Sequence, residues 1–327
     1  MTADTLLDVR NLTTRFKLDA GVLMAVDDIS FSVKKGETLG IVGESGCGKS
    51  VTAYSILNLV SPPGKIQRGE ITFEGRDLTS LSKSQLRSIR GNEVTMIFQE
   101  PMTSLNPVYT IGNQIDEVLI THKKFSKSQA RKKTIEMLKA VNIPDPDQRY
   151  REYPHQLSGG MRQRVMIAMA LACDPKLLIC DEPTTALDVT VQARILRLIS
   201  NLKKRLNMTI ILITHDLAVI SEMADRIIVM YAGRIVEEFY IQDNISKPLH
   251  PYTEALLKSL PSNTPAGEKL FVIEGMVPNL LKENRGCLFA ARCMFAENKC
   301  RMVEPVLTCV GNHKVRCHKY SGIEESK

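Results

Sequence analysis

Short, almost wholly apolar runs recur along the chain and predict β-strands. The two clearest, Leu177–Cys180 and Thr209–Ile213, lack alternating polar positions, which is typical of strands buried on both faces of a sheet. Further strands are predicted at Leu6–Phe16, Ile29–Val33, Thr38–Val42, Glu70–Phe73 and Val94–Gln99, with a closing pair across Arg226–Phe239.

Helical patterns occupy the intervals between these strands. Helices are predicted from the glycine-rich turn to about Val60, over Ile111–Asn142 with a break near Phe125, and over Gly160–Ala172, Val189–Leu206 and Leu217–Ala224. Strand–helix alternation of this kind indicates an α/β fold with a mostly parallel sheet and helices on both faces.

The character of the sequence changes after Phe239. Proline and polar residues become frequent there, and five of the eight cysteines lie in the last forty or so residues. A chain of 327 residues is long for one domain and short for two full ones. We therefore predict a main domain over residues 1–240, with a helical subdomain at about 100–172, and a small Cys-rich extension over 241–327.

A glycine-rich segment between a predicted strand and a predicted helix matches a phosphate-binding loop. The segment reads GESGCGKS and fits the pattern G-x-x-x-x-G-K-[ST]. Its backbone N–H groups and the following helix N-terminus are expected to bind phosphates, with Lys49 reaching the β- and γ-phosphates and Ser50 binding Mg²⁺. The predicted nucleotide-binding residues here are Gly43, Glu44, Ser45, Gly46, Cys47, Gly48, Lys49, Ser50 and Val51.

Two carboxylates follow directly on the buried strand Leu177–Cys180. In a parallel sheet the carboxyl ends of the strands share the edge where the phosphate loop lies. We expect Asp181 to take part in Mg²⁺ binding and Glu182 to polarise the water that attacks the phosphate.

A second glycine-rich segment stands at another predicted helix start. Ser158, Gly159 and Gly160 precede the helix that runs to Ala172, and such a helix N-terminus can bind an anion. One ATP molecule does not need two such segments from one chain. We therefore predict that Ser158–Gly160 binds a nucleotide held by a neighbouring subunit, in a head-to-tail pair with two composite sites.

Together these segments resemble the ATPase subunit of ATP-binding cassette (ABC) transporters. Leu157 to Met161 read LSGGM, which is similar to the LSGGQ signature of that family, whose phosphate contacts come from the serine and glycines. The resemblance covers roughly residues 6–240. It implies that Gln99 is the Q-loop residue that touches Mg²⁺ and the permease, that Ala186-Leu187-Asp188 is the D-loop, that His215 is the switch histidine near the γ-phosphate, and that Phe16 stacks on adenine.

The resemblance also implies a fold and a mechanism. The fold is that of a P-loop NTPase, the ABC-type nucleotide-binding domain, and the activity is hydrolysis of ATP with Mg²⁺ as cofactor. Glu182, His215 and Gln99 are then the catalytic residues. ATP joins two such domains and its hydrolysis lets them part, which moves a partner in the membrane.

Two further segments resemble the oligopeptide/dipeptide importer branch of that family. They are EPMTSLNP, from Glu100 to Pro107, and HPYTEALL, from His250 to Leu257. The implied function is to power uptake of dipeptides or oligopeptides, and a nickel importer is the alternative. The implied partners are a second homologous ATPase subunit in a heterodimer, two membrane permease subunits and an extracytoplasmic peptide-binding protein. The chain would then be peripheral to the cell membrane, on its cytoplasmic face.

Four cysteines of the extension have spacings that indicate a metal or cluster site. Cys287, Cys293, Cys300 and Cys317 give C-x₅-C-x₆-C-x₁₆-C. Four thiolates can hold an iron–sulfur cluster or a structural Zn²⁺, but zinc sites favour shorter spacings. Because relatives in the importer branch carry a 4Fe–4S cluster in this region, we prefer a 4Fe–4S cluster; Zn²⁺ and unliganded thiols are the alternatives, and Cys309 is the spare cysteine.

Composition and charge argue against several other classes. The net charge is +7, but the basic residues are spread along the chain; there is no Trp, and aromatic residues make up only 5%, which disfavours base stacking on nucleic acid. No apolar run approaches the roughly 18–20 residues that cross a bilayer. An ABC ATPase that processes nucleic acid is the weaker alternative, because such proteins carry a long insertion between the phosphate loop and the signature, and here only about a hundred residues intervene.

Overall fold

The computed structural model describes residues 4–99, 104–185, 188–244, 247–260, 271–281 and 285–322. Its strands, in chain order, are β1 (Thr5–Leu18), β2 (Gly21–Lys34), β3 (Thr38–Val42), β4 (Gly64–Phe73), β5 (Arg76–Asp77), β6 (Val94–Ile97), β7 (Leu177–Asp181), β8 (Thr209–Ile213), β9 (Arg226–Tyr231), β10 (Arg234–Tyr240), β11 (Thr308–Val310) and β12 (His313–Val315).

The helices alternate with these strands along most of the chain, as the sequence predicts. They are α1 (Lys49–Ile56), α2 (Lys83–Ile89), α3 (Ile111–Lys123), α4 (Lys127–Ala140), α5 (Pro146–Arg149), α6 (Gly159–Leu171), α7 (Val189–Leu206), α8 (Leu217–Met223), α9 (Ile241–Asn244), α10 (Pro251–Lys258) and α11 (Asn298–Met302). Short 3-10 turns occupy Pro154–Gln156 and His318–Tyr320.

The chain forms two compact units, one of residues 1–79 and 212–327 and the other of residues 80–211. The domain boundary near residue 240 stays a prediction; residues after 240 share a unit with the phosphate-loop segment. The reason is visible in the strand pairing: β12 adds antiparallel to β10, with Glu237 opposite Val315.

The first unit contains an antiparallel sheet that the sequence analysis did not predict as such. Its strands run in the order β2-β1-β4-β5. β1 and β2 are each 14 residues long, and their register shifts at several points, so that polar and apolar positions do not alternate regularly. The apolar side chains that do point inward, such as Leu7, Val9 and Leu12, are fully buried.

The same unit contains the strand that leads into the phosphate loop. β3 is buried at every position and pairs in parallel with β9, with Ile41 opposite Ile228. β9 pairs antiparallel with β10 around the turn Ala232-Gly233, and β10 continues through β12 to β11. The phosphate loop therefore begins at the end of a fully buried parallel strand, as predicted.

The second unit holds the helical subdomain and the strands β6 and β7. These strands are parallel, with Met96 opposite Ile179. The predicted helix break near Phe125 is present: Lys124 ends α3 in the left-handed conformation, and Ser126 starts α4 with a capping box completed by Gln129. Helix α3 thus ends at a left-handed residue, and α4 begins at a serine that caps it.

Candidate nucleotide site and cysteine-lined cavity

The phosphate loop follows β3 and has two glycines whose geometry excludes any side chain. Gly43 has φ +152°, and a Cβ there would lie 2.2 Å from the Met230 carbonyl oxygen. Gly48 has φ +102°, and a Cβ there would lie 2.3 Å from the Ala25 carbonyl oxygen. Both positions require glycine, because the loop backbone passes directly over neighbouring strands.

Lys49 opens helix α1 at the end of this loop. It is only 5% exposed, and its Nζ donates hydrogen bonds to the carbonyl oxygens of Gly43, at 2.7 Å, and Glu44, at 2.9 Å. The ammonium group is thereby held inside the curl of the loop, where it can reach a bound phosphate. Cys47 lies beside it, and burial raises the pKa of this thiol above its ordinary value, which favours the neutral thiol.

Asp181, Glu182 and Gln99 stand together in the second unit. Asp181, the last residue of β7, is completely buried, and Glu182 follows it with a left-handed φ of 47°. Gln99 Nε2 donates to Glu182 Oε2 at 3.2 Å, and Thr185 Oγ1 donates to the same oxygen at 2.9 Å. The structure therefore places the predicted base and the predicted Q-loop glutamine in direct contact.

The signature segment begins helix α6. Ser158 is the N-cap, and its side chain accepts a hydrogen bond from the Met161 N–H. Ser158 and Gly159 are exposed, and a Cβ on Gly159 would have no atom within 4 Å. The start of this 13-residue helix is thus exposed at Ser158 and Gly159, as an anion-binding terminus requires.

One residue of this region was missed by the sequence analysis. Gln163, one turn into α6, is 1% exposed, and its Nε2 donates to the carbonyl oxygen of Pro183 at 2.5 Å. It fixes the signature helix against the loop that follows Glu182. A glutamine on a helix surface gives no sequence signal for such a contact.

The remaining predicted site residues lie in separate places. Asp188 is exposed and caps α7, because its side chain accepts a hydrogen bond from the Val191 N–H. Six residues of the predicted motifs lie outside the described residues: Glu100, Pro101, Met102, Thr103, Ala186 and Leu187. His215 is exposed and follows Thr214, whose N–H donates to Ile41 of β3. Phe16 is half-buried, and its ring packs over Gly64 and leaves no room for a Cβ there.

These placements assign the site residues to the two units. The first unit contains Phe16, the phosphate loop with Lys49 and Ser50, and His215. The second contains Gln99, Ser158–Gly160, Asp181, Glu182 and Asp188.

The segment HPYTEALL forms the start of helix α10 and touches the phosphate loop. His250 Nδ1 accepts a hydrogen bond from the Tyr252 N–H, so this histidine is the helix cap. Burial lowers the pKa of His250 to about 4, which keeps the ring neutral and able to accept. Tyr252 is fully buried, and its hydroxyl accepts a hydrogen bond from the Glu44 N–H at 2.8 Å.

The four predicted cysteine ligands line one cavity of about 620 Å³ in the extension. Cys287, Cys293, Cys300 and Cys317 share its wall with His250 and Phe289, whereas Cys309 is exposed and does not line it. Burial, and then the neighbouring thiols Cys300, Cys317 and Cys293, raise the pKa of Cys287 to about 11. Among the described residues, however, no group of three or more His, Cys, Asp or Glu side chains is arranged to hold a metal ion.

Comparison with protein families finds two matches along the chain. Residues 26–185 match the model described as "ABC transporter", and residues 236–300 match "Oligopeptide/dipeptide transporter, C-terminal region". No helix in the described part of the chain has the length and apolar character needed to span a membrane.

Characterised relatives match over nearly the full chain. The dipeptide transport ATP-binding protein DppD of Haemophilus influenzae is 53% identical over 96% of this chain and 95% of its own length. The oligopeptide transport ATP-binding protein AppD of Bacillus subtilis is 53% identical over 98% of this chain and 99% of its own. Among solved structures, the dimeric post-hydrolysis state of the ATP-binding cassette MJ0796, bound to ADP and Pi, superposes with a TM-score of 0.65 at 29% identity, covering 72% of this chain and 99% of that one.

Proposed function

The chain belongs to the family of ATP-binding subunits of peptide ABC transporters, and we propose that it closes ATP between its own phosphate loop and the signature segment of a second ATPase subunit. The chain is an ATPase whose hydrolysis is coupled to transport, and it works with a second ATPase and with membrane permeases. In this pairing the phosphate loop binds the chain's own ATP, and Ser158–Gly160 binds the ATP of the second subunit.

The observation that carries this proposal is the open first turn of α6. Ser158 and Gly159 are exposed, and in the phosphate loop Lys49 Nζ is held by the Gly43 carbonyl oxygen at 2.7 Å. An exposed helix N-terminus attracts negative charge through its dipole and its N–H groups. A γ-phosphate presented by the partner subunit satisfies both features.

The side chains of the site suit phosphoryl transfer. The serine hydroxyl of Ser50, the buried carboxylate of Asp181 and the amide oxygen of Gln99 are hard oxygen donors, the kind that Mg²⁺ prefers. When bound, Mg²⁺ neutralises charge that develops on the phosphate oxygens. Lys49 holds the β- and γ-phosphates, Glu182 orients and polarises the attacking water, and His215 contacts the γ-phosphate.

The contact between Gln99 and Glu182 connects the base to the permease side of the subunit. Gln99 Nε2 donates to the carboxylate that is to accept the proton of the water. Any movement of the segment after Gln99, which the family uses to touch the permease, therefore changes the hydrogen bonding of the base. This gives a physical route from permease conformation to hydrolysis rate.

The cargo and the remaining partners follow from the family. We propose uptake of dipeptides or oligopeptides, delivered by an extracytoplasmic binding protein to two permease subunits. The second ATPase is a homologous but different chain, and both ATPases sit at the cytoplasmic face of the membrane. Adenine stacks on Phe16, whose ring is half-exposed on β1.

An uptake assay tests the cargo assignment. In a strain that lacks this chain, plasmid-borne wild-type chain is expected to restore uptake of radiolabelled dipeptide or oligopeptide. Lys49→Ala is expected to restore none, because the loop loses its phosphate-binding ammonium. Labelled Ni²⁺ is measured in parallel; restored nickel uptake without peptide uptake would contradict the peptide assignment and support the nickel alternative.

We further propose that the cysteine-lined cavity holds a 4Fe–4S cluster. A single Zn²⁺ needs four sulfurs about 2.3 Å from one point. A cluster binds each thiolate to a different iron, so its ligands can stand further apart around a wider space. What supports the proposal is that all four predicted ligands line one cavity of about 620 Å³.

Metal and sulfide analysis of anaerobically purified full-length chain tests the cluster. About four iron and four acid-labile sulfide per chain are expected, as the cluster's composition requires. Cys300→Ser is expected to lower both, whereas Cys309→Ser is the matched control and should leave both unchanged, because Cys309 lies outside the cavity. Protein free of iron and sulfide would refute the cluster, and about one zinc per chain would support the alternative.

A further inference from the structure

An arginine of the Cys-rich extension holds the side chain of a phosphate-loop residue. Arg292 Nη1 donates to Glu44 Oε2 at 2.7 Å, and its Nη2 donates to Glu44 Oε1 at 2.9 Å. This is the parallel, bidentate geometry in which arginine binds a carboxylate most specifically. The two residues are 248 positions apart in sequence, and the ion pair joins the extension directly to the loop.

Every N–H of this guanidinium has an acceptor. Besides Glu44, Arg292 donates to the Tyr231 hydroxyl and to the backbone carbonyls of Ile273 and Glu274. Its side chain is only 5% exposed, and it lies over the rings of Tyr231 and Phe289. With all five N–H groups bonded, the guanidinium has one orientation, and it fixes the carboxylate that it binds.

Glu44 is thereby held from three sides. Arg292 binds its carboxylate, the Tyr252 hydroxyl accepts from its N–H, and its carbonyl oxygen accepts from Lys49 Nζ at 2.9 Å. Tyr252 and Tyr231 pack against each other, with ring centroids 4.6 Å apart. Glu44 therefore couples the extension to the lysine that binds the phosphates, since a shift of its backbone shifts a carbonyl that positions the ammonium group.

We propose that Arg292 is a positioning residue of the nucleotide site: through Glu44 it holds the phosphate loop in its nucleotide-binding conformation. The proposal goes beyond the ATPase activity shared with the family, and it gives the extension a direct part in ATP binding. An open loop must lose conformational freedom when the nucleotide binds; a loop already held by Arg292 and Tyr252 loses less, so its affinity is higher.

The test compares two arginines that each precede a cysteine of the cavity. Arg292→Gln removes the ion pair with Glu44. Arg316→Gln is the matched control, because Arg316 binds Glu304 and the carbonyls of Ile235 and Pro305 but makes no described contact with the phosphate loop. On the full-length chain we measure Tm, the Kd of a fluorescent ATP analogue (MANT-ATP), and kcat and KM for ATP hydrolysis.

Arg292→Gln is expected to raise Kd and KM about ten-fold, which corresponds to about 1.4 kcal/mol. Its kcat should stay within about two-fold of wild type, since Arg292 touches no reacting atom. Arg316→Gln should lower Tm to a similar extent and leave Kd unchanged. Arg292→Lys, which keeps the charge and loses the bidentate geometry, should fall between wild type and Arg292→Gln.

A double-mutant cycle with Glu44→Gln measures the same interaction from the side of the phosphate loop, and Glu44→Gln alone tests it if Arg292→Gln folds poorly. Glu44→Gln should raise Kd by about the same factor as Arg292→Gln, and the double variant should be no worse than either single variant, because both remove one interaction. Wild-type Kd in Glu44→Gln, additive effects in the double variant, or an equal rise of Kd in Arg316→Gln would each overturn the positioning role.

Discussion

Glu182→Gln is expected to reduce turnover of the ATP on this chain's own phosphate loop at least a hundred-fold while the variant still binds ATP and stays in a closed, ATP-bound dimer. Glutamine cannot accept the proton of the attacking water, so the bond to the γ-phosphate is not cleaved. In the proposed pairing each bound triphosphate contacts both subunits, so one uncleaved ATP suffices to keep them together. The measurement is phosphate release, with the dimer followed by size-exclusion chromatography in the presence of ATP and Mg²⁺.

The substitution is a clean test because it preserves the local hydrogen bonds. Gln99 and Thr185 both donate to the same oxygen of Glu182, and the amide oxygen of a glutamine can accept both bonds. Glu136→Gln makes the same chemical change on an exposed face of α4 and should leave turnover unchanged. Turnover close to that of wild type in Glu182→Gln would remove Glu182 from the role of base.

Gly159→Asp is expected to prevent ATP-driven dimerisation while the chain's own phosphate loop still binds ATP. The fold has room for the side chain, since a Cβ at Gly159 meets no atom within 4 Å. In a closed dimer, however, the new carboxylate faces the partner's γ-phosphate. Two like charges about 4 Å apart repel by about 4 kcal/mol at an effective dielectric constant near 20. Turnover should therefore fall by two to three orders of magnitude, measured as ATP hydrolysis beside MANT-ATP affinity.

Ser84→Asp is the matched control for this prediction. Ser84 is exposed near the N-terminus of α2, in the same unit as Gly159, so the variant adds one negative charge in a similar helical context. It should dimerise and hydrolyse ATP as wild type does. Normal ATP-driven dimerisation in Gly159→Asp would mean that the signature segment does not face a phosphate.

The sequence predicts the buried strands and well-capped helices accurately. β3, β8 and α7 have the predicted bounds, because continuous apolar runs define the strands, and because Asp188 caps one end of α7 while Asn207 ends it in the left-handed conformation. The first helix ends at Ile56 rather than near Val60, since Asn58 adopts a positive φ of 48°. These outcomes depend on local chemistry that a single sequence shows.

Local patterns of the sequence do not predict the antiparallel sheet or the division into two units. β2 begins at Gly21 rather than Ile29, because register shifts in its pairing with β1 hide the period-two pattern. The division into units depends on long-range pairing, such as that of β12 with β10, which no local pattern encodes. Pairing between distant segments is a property of the folded chain.

Some residues of the candidate site can be predicted from the sequence, and others are found only in the structure. Motif spacing predicts roles for Lys49, Asp181 and Glu182, because phosphate and metal chemistry restricts residue types at fixed offsets. The cysteine spacing likewise selects the four thiols that line one cavity and leaves Cys309 outside it. By contrast, Arg292 and Gln163 act through tertiary contacts with Glu44 and Pro183, and their neighbours in sequence give no indication of those partners.

In the proposed pairing two chains bind the same triphosphate, one through its phosphate loop and the other through its signature segment. A structure of the assembled transporter with the Glu182→Gln chain, ATP and Mg²⁺ measures this directly. We expect Ser158 Oγ and the Gly160 N–H to lie within about 3 Å of γ-phosphate oxygens of the ATP bound to the partner ATPase. A closed, ATP-bound assembly in which Ser158 lies more than about 10 Å from any phosphate, well beyond the reach of a direct or water-bridged hydrogen bond, would contradict it.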